Sequence, residues 1–261
     1  MKTSLPDIAI YGTGNLAWQL GEALHGLGYP ISSVWGRNHS DKLALARRLN
    51  ARALEKVSDG GHPAIKLLLV SDAFIAPLAE SIPADDTSLV VHCAGAGELD
   101  WLHPHNRRAI FWPLQSIRKV ASIDWSQVPV LVDAVLADDL EMLLEMGQRL
   151  SKEVKPANAQ ERSLYHAAAV ISGNFGNYLL DQAFSLLQEN GLDHRLLLPI
   201  LEHQLRLFGS QQRPILRQTG PAKRGDQKTM QKHLQLLANL PAEAATYRLL
   251  SELIAKASAE R

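Results

Sequence analysis

Gly12, Gly14 and Ala17 stand in the stretch Gly12-Thr13-Gly14-Asn15-Leu16-Ala17, which has the spacing G-x-G-x-x-A. The first glycine allows a tight turn and the second lets backbone approach a bulky anion. The small third residue keeps the following helix close to the preceding strand. The chemistry such a turn serves is the grip of a pyrophosphate on the free N–H groups of a helix N-terminus. The flanks agree. Asp7-Ile8-Ala9-Ile10-Tyr11 is a short apolar run suited to a buried strand, and Leu16, Leu20, Ala23, Leu24 and Leu27 recur at helical spacing up to Gly28. About 20 residues on, a dinucleotide fold places an acid for the ribose hydroxyls. Here the chain reads Gly36-Arg37-Asn38-His39-Ser40, with no acid before Asp41. A carboxylate repels a 2′-phosphate, whereas a guanidinium attracts one and stacks on adenine. Arg37, Asn38 and Ser40 therefore point to NADP(H), held together with Gly12, Thr13, Gly14, Asn15 and Leu16. In the competing reading Ser40 only caps a helix over 41–50 and Arg37 is solvated.

Further polar groups fall at the ends of apolar runs, where a doubly wound sheet lines its ligand crevice. Ser71 and Asp72 follow the run 64–71, and His92 closes the run 88–92. All three are candidate cofactor neighbours, with helix capping the alternative for Asp72. Gln115 sits in Trp112-Pro113-Leu114-Gln115-Ser116, a turn at a strand end. Residues 220–226, Gly220-Pro221-Ala222-Lys223-Arg224-Gly225-Asp226, are turn-rich, open a helix and lie in a basic stretch. Arg224 and Asp226 are therefore candidates for holding an anionic substrate group. Set against them is the acidic stretch Asp133, Asp138, Asp139, Glu141 and Glu145. Both charge runs read first as solvated faces. His103-Pro104-His105 offers no third ligand at a metal-site spacing and reads as a surface loop, so no metal is assigned. Cys93 reads as a small buried hydrophobe. There is no G-x-S-x-G, P-loop or H-E-x-x-H.

The elements that must position these residues change character midway. Strands are expected at 7–11, 31–35, 64–71, 88–92, 109–112 and 129–133, with a helix at 138–150. After Lys155-Pro156 the strand signals stop. A helical pattern covers 159–190, broken only by Gly173 and Gly176, and further helices fit 193–208, 227–239 and 242–258. The expected fold is α/β, a doubly wound Rossmann-like sheet over 1–155 followed by an all-α domain over 156–261, with a cleft at their junction. The 261 residues include 46% hydrophobic and 21% charged residues, ordinary for a globular chain. Lys+Arg and Asp+Glu are both 27, which argues against a nucleic-acid or anionic-membrane partner. The single cysteine precludes intrachain disulfides. No apolar run approaches membrane-spanning length and the first residues lack a signal-peptide core, so a cytoplasmic protein is the expectation.

The set of motifs resembles the NADP-dependent oxidoreductases that join a Rossmann-like domain to a C-terminal helical domain of unknown function. They are distant relatives of pyrroline-5-carboxylate reductase and of the 6-phosphogluconate and 3-hydroxyacid dehydrogenases. The matching stretches are the glycine turn, Val70-Ser71-Asp72, His92-Cys93-Ala94-Gly95, Trp112-Pro113-Leu114-Gln115-Ser116, Tyr165-His166-Ala167-Ala168-Ala169-Val170, Ser172-Gly173-Asn174-Phe175 and residues 220–226. The hydroxyacid dehydrogenase relatives keep a Lys and an Asn one turn apart. Asn174 fits the Asn, but Val170 stands in place of the Lys, a departure that weighs against that reaction. His166 lies two turns before Asn174, about 12 Å along a helix axis and on roughly the same face. It suits proton donation near neutral pH as hydride arrives; the alternative is a hydrogen-bonded histidine between domains. The expected function is NADP(H)-dependent hydride transfer to a small C=O or C=N substrate, an anionic one among the options. His166 and Asn174 would be catalytic, with Gln115, Arg224 and Asp226 on the substrate. The alternative is a non-catalytic NADP(H)-binding sensor. Leu196, Leu197, Leu198, Ile200, Leu201, Leu205 and Leu207 make one helix apolar nearly all round, which predicts a homodimer, as in the relatives.

Overall fold

The structure is a computed structural model that describes residues 5–83, 87–119, 122–208 and 213–259; residues 1–4, which enter the expectation about a signal peptide, lie outside these. The chain divides into two compact units, Met1–Ser172 and Gly173–Arg261.

The first unit is built on one sheet. Its strands are β1 (Ile8–Tyr11), β2 (Ile31–Trp35), β3 (Arg52–Ala53), β4 (Ile65–Leu68), β5 (Leu89–His92), β6 (Arg108–Pro113), β7 (Val130–Ala134) and β8 (Val154–Pro156). They lie in the order β3-β2-β1-β4-β5-β6-β7-β8. Every neighbouring pair is parallel except β6 with β7. An antiparallel pair needs no crossover helix, and the described residues between β6 and β7 hold only a short 3₁₀ turn, Trp125–Gln127. The expected α/β sheet is thus present, with two strands more than the apolar runs announced. The additional ones, β3 and β8, are two and three residues long, too short to carry a period.

β1, β4 and β5 are buried at every residue, because helices cover both faces of a parallel sheet. Ile8 and Ile10 point to one face, where Leu20 and Leu24 of α1 (Asn15–Gly26), Leu45 of α2 (His39–Arg48) and Leu143 and Met146 of α4 (Ala137–Leu150) pack against them. Ala9 and Tyr11 point to the other, toward Ile75 and Leu78 of α3 (Ile75–Glu80). Burying each large side chain contributes about 1.5–3 kcal/mol. The chain runs outward from β1 through β2 to β3, then returns past β1 to form β4. That reversal is the topological switch point where α/β sheets open a ligand crevice.

Helix α5 (Ala159–Ala169) counts with the sheet although the sequence pattern changes at 155. Arg162, only 1% exposed, pairs with Asp133 of β7 and donates to the carbonyls of Ala157 at 2.8 Å and Gly97 at 3.2 Å. A capping box starts the helix: Asn158 Oδ1 accepts from Glu161 N at 3.0 Å and Glu161 Oε2 from Asn158 N at 2.9 Å. The acidic stretch is therefore more than a solvated face, since Asp133 serves Arg162 and Asp139, at 1% exposure, takes Arg107 Nη2 at 2.6 Å and Nε at 3.1 Å.

The single helix expected over 159–190 is interrupted. A π-helical turn, Val170–Phe175, separates α5 from α6 (Gly176–Glu189). An i→i+5 turn changes the 3.6-residue phase between His166 and Asn174. The second unit continues with α7 (Leu198–Phe208), α8 (Pro221–Arg224), α9 (Gln227–Leu236) and α10 (Pro241–Ala259). It has no strand among the described residues. His233 of α9 is hydrogen-bonded to Tyr247 of α10 at 2.8 Å. Among the described residues, no helix is long and apolar enough to cross a membrane.

Candidate functional site

A cavity of about 430 Å³ opens at the carboxyl ends of β1, β2 and β4, lined by Gly12, Thr13, Gly14, Asn15, Leu16, Trp35, Gly36, Arg37, Asn38, Leu69, Val70 and Ser71. Among the described residues no carboxylate lines it, and Arg37 is its one charged lining residue. Gly12 holds φ +137°, and a Cβ there would collide with the Leu69 carbonyl. A Cβ on Gly14 would meet no atom within 4 Å, so its face is open. α1 begins at Gly14 with no side-chain cap and no acid in its first turn. Its N–H donors are left to whatever fills the cavity, which suits a pyrophosphate.

A second, apolar cavity of about 300 Å³ adjoins the first and shares Trp35, Arg37 and Val70 with it; Phe74 and Pro77 add to its wall. The Arg37 guanidinium lies 4.1 Å from the centre of the Phe74 ring. A flat, electron-rich base fits such a wall. Phe74 was missed in the sequence; an aromatic residue in the turn after β4, with Trp35 at the end of β2, was the available signal.

The expected cofactor residues are only partly gathered. Gly12, Thr13, Gly14, Asn15, Leu16, Arg37, Asn38 and Ser71 share the first cavity. Asn15 lends its backbone there, because its Nδ2 donates to the Ile117 carbonyl at 3.3 Å. Asn38, not Ser40, caps α2: its Oδ1 accepts from Asp41 N at 3.1 Å and from the Ser40 hydroxyl at 2.8 Å. Ser40 is thus one bond removed from the cavity wall. Asp72 is exposed and opens the 3₁₀ turn Asp72–Phe74, for which Ser71 is the cap residue.

His92 turns away from the crevice. It is fully buried, its Nε2 donates to the Glu98 carbonyl at 3.2 Å, and its Nδ1 accepts from Ala94 N at 3.1 Å. Both ring nitrogens are spent on the loop that follows β5. Burial drives its pKa down to about 4, against a weaker upward pull from the Glu98 hydrogen bond. Cys93 beside it is buried, which pushes its thiol well above the ordinary range, so the reading of an inert hydrophobe fits. His105 departs from its reading as part of a surface loop: it is 1% exposed, with Nε2 donating to the Ala79 carbonyl at 2.9 Å.

Trp112, at the end of β6, packs between two residues of interest. A Cβ on Gly95 would run into its indole, and the His166 ring lies 5.9 Å from it on the other element. β6 is two strands beyond β4, roughly 10 Å across the sheet edge. His166 is half-buried, and Gln115 stands exposed on the loop leaving β6. Asn174 is exposed in the π-helical turn. Arg224 and Asp226 belong to the second unit. Arg224 is exposed, while the Asp226 carboxylate is engaged: it caps α9, accepting from Thr229 N at 3.1 Å and the Thr229 hydroxyl at 2.7 Å.

Comparison with known proteins agrees with this geometry. Residues 128–254 match DUF2520, a domain of unknown function. A structure from Bacteroides fragilis, classed by name as an NADP oxidoreductase, aligns at 28% identity and TM-score 0.86 over 96% of this chain and 98% of its own. An imine reductase from Myxococcus stipitatus in complex with NADP+ aligns at 17% and 0.69, covering 97% and 94%. A pyrroline-5-carboxylate reductase from Coxiella burnetii aligns at 16% and 0.58, covering 96% and 98%. No curated protein sequence matches the chain.

Proposed function

Starting from a chain that belongs with the Rossmann-like NADP oxidoreductases carrying a DUF2520 domain, we propose that it is an NADP(H)-dependent reductase of a small C=O or C=N compound. The observation that carries this is the acid-free cavity at the β1–β4 switch point, with an uncapped helix at one end and Arg37 at the other. In this reading the N–H groups of Gly14, Asn15 and Leu16 hold the pyrophosphate. Arg37 and Asn38, with Ser40 behind them, take the 2′-phosphate. Arg37, Phe74 and Trp35 enclose the adenine.

The bound cofactor supplies hydride to the electrophilic carbon. His166, steadied against Trp112, gives a proton to the oxygen or nitrogen that carries the developing negative charge. Gln115 orients the substrate by its amide, and Ser71 lines the first cavity. His92 acts through the loop it clamps, and the exposure of Asp72 leaves it at the rim.

Titration of NADPH and NADH by calorimetry tests the cofactor assignment. A preference for NADPH is expected that Arg37→Ala reduces by about 10–150-fold, the worth of one charge-assisted contact. Equal affinities in the wild type would sink it. A screen of imines and keto acids for NADPH oxidation tests turnover, and with a substrate found, His166→Ala should lose about 10²–10⁴-fold in rate with cofactor affinity intact. NADPH binding without any turnover would favour the sensor instead.

The same proposal includes a homodimer through the helical unit. What supports it is the exposure of large apolar side chains there: Leu196 at 78%, Leu205 at 67% and Ile200 at 58%. A monomer mass by light scattering at micromolar concentration would count against it.

A further inference from the structure

The loop that leaves β6 does not stand free. Its residues are strapped onto α1 by that helix's own side chains. Asn15 Nδ2 donates to the Ile117 carbonyl at 3.3 Å, and Gln19 Nε2 donates to the carbonyls of Arg118 at 3.1 Å and Lys119 at 2.9 Å. The strap delivers Lys119 to a fixed place. Its ammonium lies 4.2 Å from the centre of the Trp18 ring on α1 and 3.6 Å from Asp41 Oδ1 on α2. One cation therefore spans the N-terminal turns of α1 and α2, the two helices that begin at the cavity.

Asp41 is the acid in the first turn of α2, next to the residues offered above to a 2′-phosphate. Its backbone N–H is held by Asn38 Oδ1, and Asn38 lines the cavity together with Arg37. A 2′-phosphate carries about −1.5 to −2 charges near neutral pH. An unpaired carboxylate in that turn opposes it. Lys42 is not available to offset Asp41, because its buried ammonium is spent on the Leu54 carbonyl and Glu55, both at 2.9 Å. Arg37 is turned to Phe74.

We propose that Lys119 is a specificity residue for the 2′-phosphate, acting by pairing with Asp41 so that this carboxylate no longer opposes the phosphate at the ribose end of the cavity. The inference rests on the NADP(H) reading. It assigns to the strap after β6 a part in telling NADPH from NADH, although none of its described residues lines the cavity.

The test is a cycle of Lys119→Ala, Asp41→Asn and the double variant. Dissociation constants for NADPH and NADH are measured by calorimetry at 0.05 M and 0.3 M salt, with circular dichroism to confirm the fold; Lys119 is exposed, so its removal leaves the core untouched. Lys119→Ala should weaken NADPH by roughly 3–10-fold and NADH by less than about twofold, with the difference shrinking at high salt. The double variant should return NADPH to within about twofold of wild type, because the offending carboxylate is gone. Unchanged selectivity in Lys119→Ala overturns the proposal. So does a loss that Asp41→Asn does not repair, which would mean that Lys119 touches the phosphate itself. If Arg37→Ala abolishes a wild-type NADPH preference that Lys119→Ala leaves whole, only this inference fails. If the wild type binds both cofactors equally, the NADP(H) reading falls and this proposal with it.

Discussion

Two helices of this chain begin after glycine turns, and their N-termini end in opposite states. At α1 the cap residue is Gly14, which offers no side chain, and the first turn holds no acid. Its N–H donors face a cavity. At α9 the cap is Asp226, whose two carboxylate oxygens serve Thr229 N and the Thr229 hydroxyl. An anion already occupies that end of the helix dipole. In sequence both stretches are a glycine turn opening a helix, and the second is richer in cations. Whether such a turn leaves its N–H donors open is decided by the cap side chain, not by the surrounding charge.

The comparison breaks most visibly at the glycines themselves. Gly12 at φ +137° has the Leu69 carbonyl where a Cβ would go, so Gly12→Ala must move a strand end. A cost above about 3 kcal/mol in urea unfolding is expected, up to failure to fold. Gly225 at φ +66° meets nothing within 4 Å, so Gly225→Ala should cost only the left-handed backbone strain, about 1–2 kcal/mol. Comparable losses would mean that the first turn is no tighter than the second.

A third turn, after β5, sharpens the contrast because it is closed by its own histidine. The His92 pKa is about 4 in the folded chain against an ordinary 6.5. Between those values the unfolded chain binds a proton that the folded one refuses, so stability falls on acidification from about pH 6.5 to pH 4 and is flat above and below. The depth should be on the order of 3 kcal/mol, from a gap of about 2.5 units. His92→Asn should flatten this window in pH-dependent urea melts. A wild-type profile without it would mean that the ring is not locked neutral.

How much of this was legible follows from the range of the interactions. β1, the glycine turn, α1 and Arg37 were readable because apolar period, turn chemistry and charge all lie within about thirty residues of chain, and the fold that arranges them is shared by many sequences. β3 and β8 were not, since two or three residues show no alternation and are made strands by their neighbours. The strap from Gln19 to Arg118 and Lys119 joins residues 99 and 100 apart, and Arg162 reaches Asp133 across 29. No local pattern announces either. The π-helical turn at 170–175 has no compositional mark beyond Gly173, so the sequence pattern reads as one helix through it. Asp226 was visible as an acid among cations, but its role depended on which way the carboxylate turned.

That carboxylate gives the smallest effect and the most direct test of the comparison. The Asp226 pKa lies below its ordinary 3.8, mainly because the Thr229 hydroxyl donates to the charged form and secondarily because Thr229 N does. A depressed carboxyl pKa means that the cap contributes fully above pH 3.8 and is lost as pH falls below it toward the folded value. This window lies below that of His92, so the two separate in one titration. Asp226→Asn keeps an acceptor for Thr229 and should lower the helical melting temperature slightly while removing this carboxylate's share of the acid dependence below pH 3.8, leaving that of Glu55 and Asp193. Asp226→Ala should lower it further at neutral pH, because the N–H groups then face water unpaired. If the carboxylate is what closes this end, Asp226→Ala should also gain stabilisation from added sulfate that the wild type does not show, since a freed helix N-terminus accepts an anion. An equal sulfate response in both proteins would mean that α9 was never closed, and the difference drawn between it and α1 would rest on the glycine turn alone.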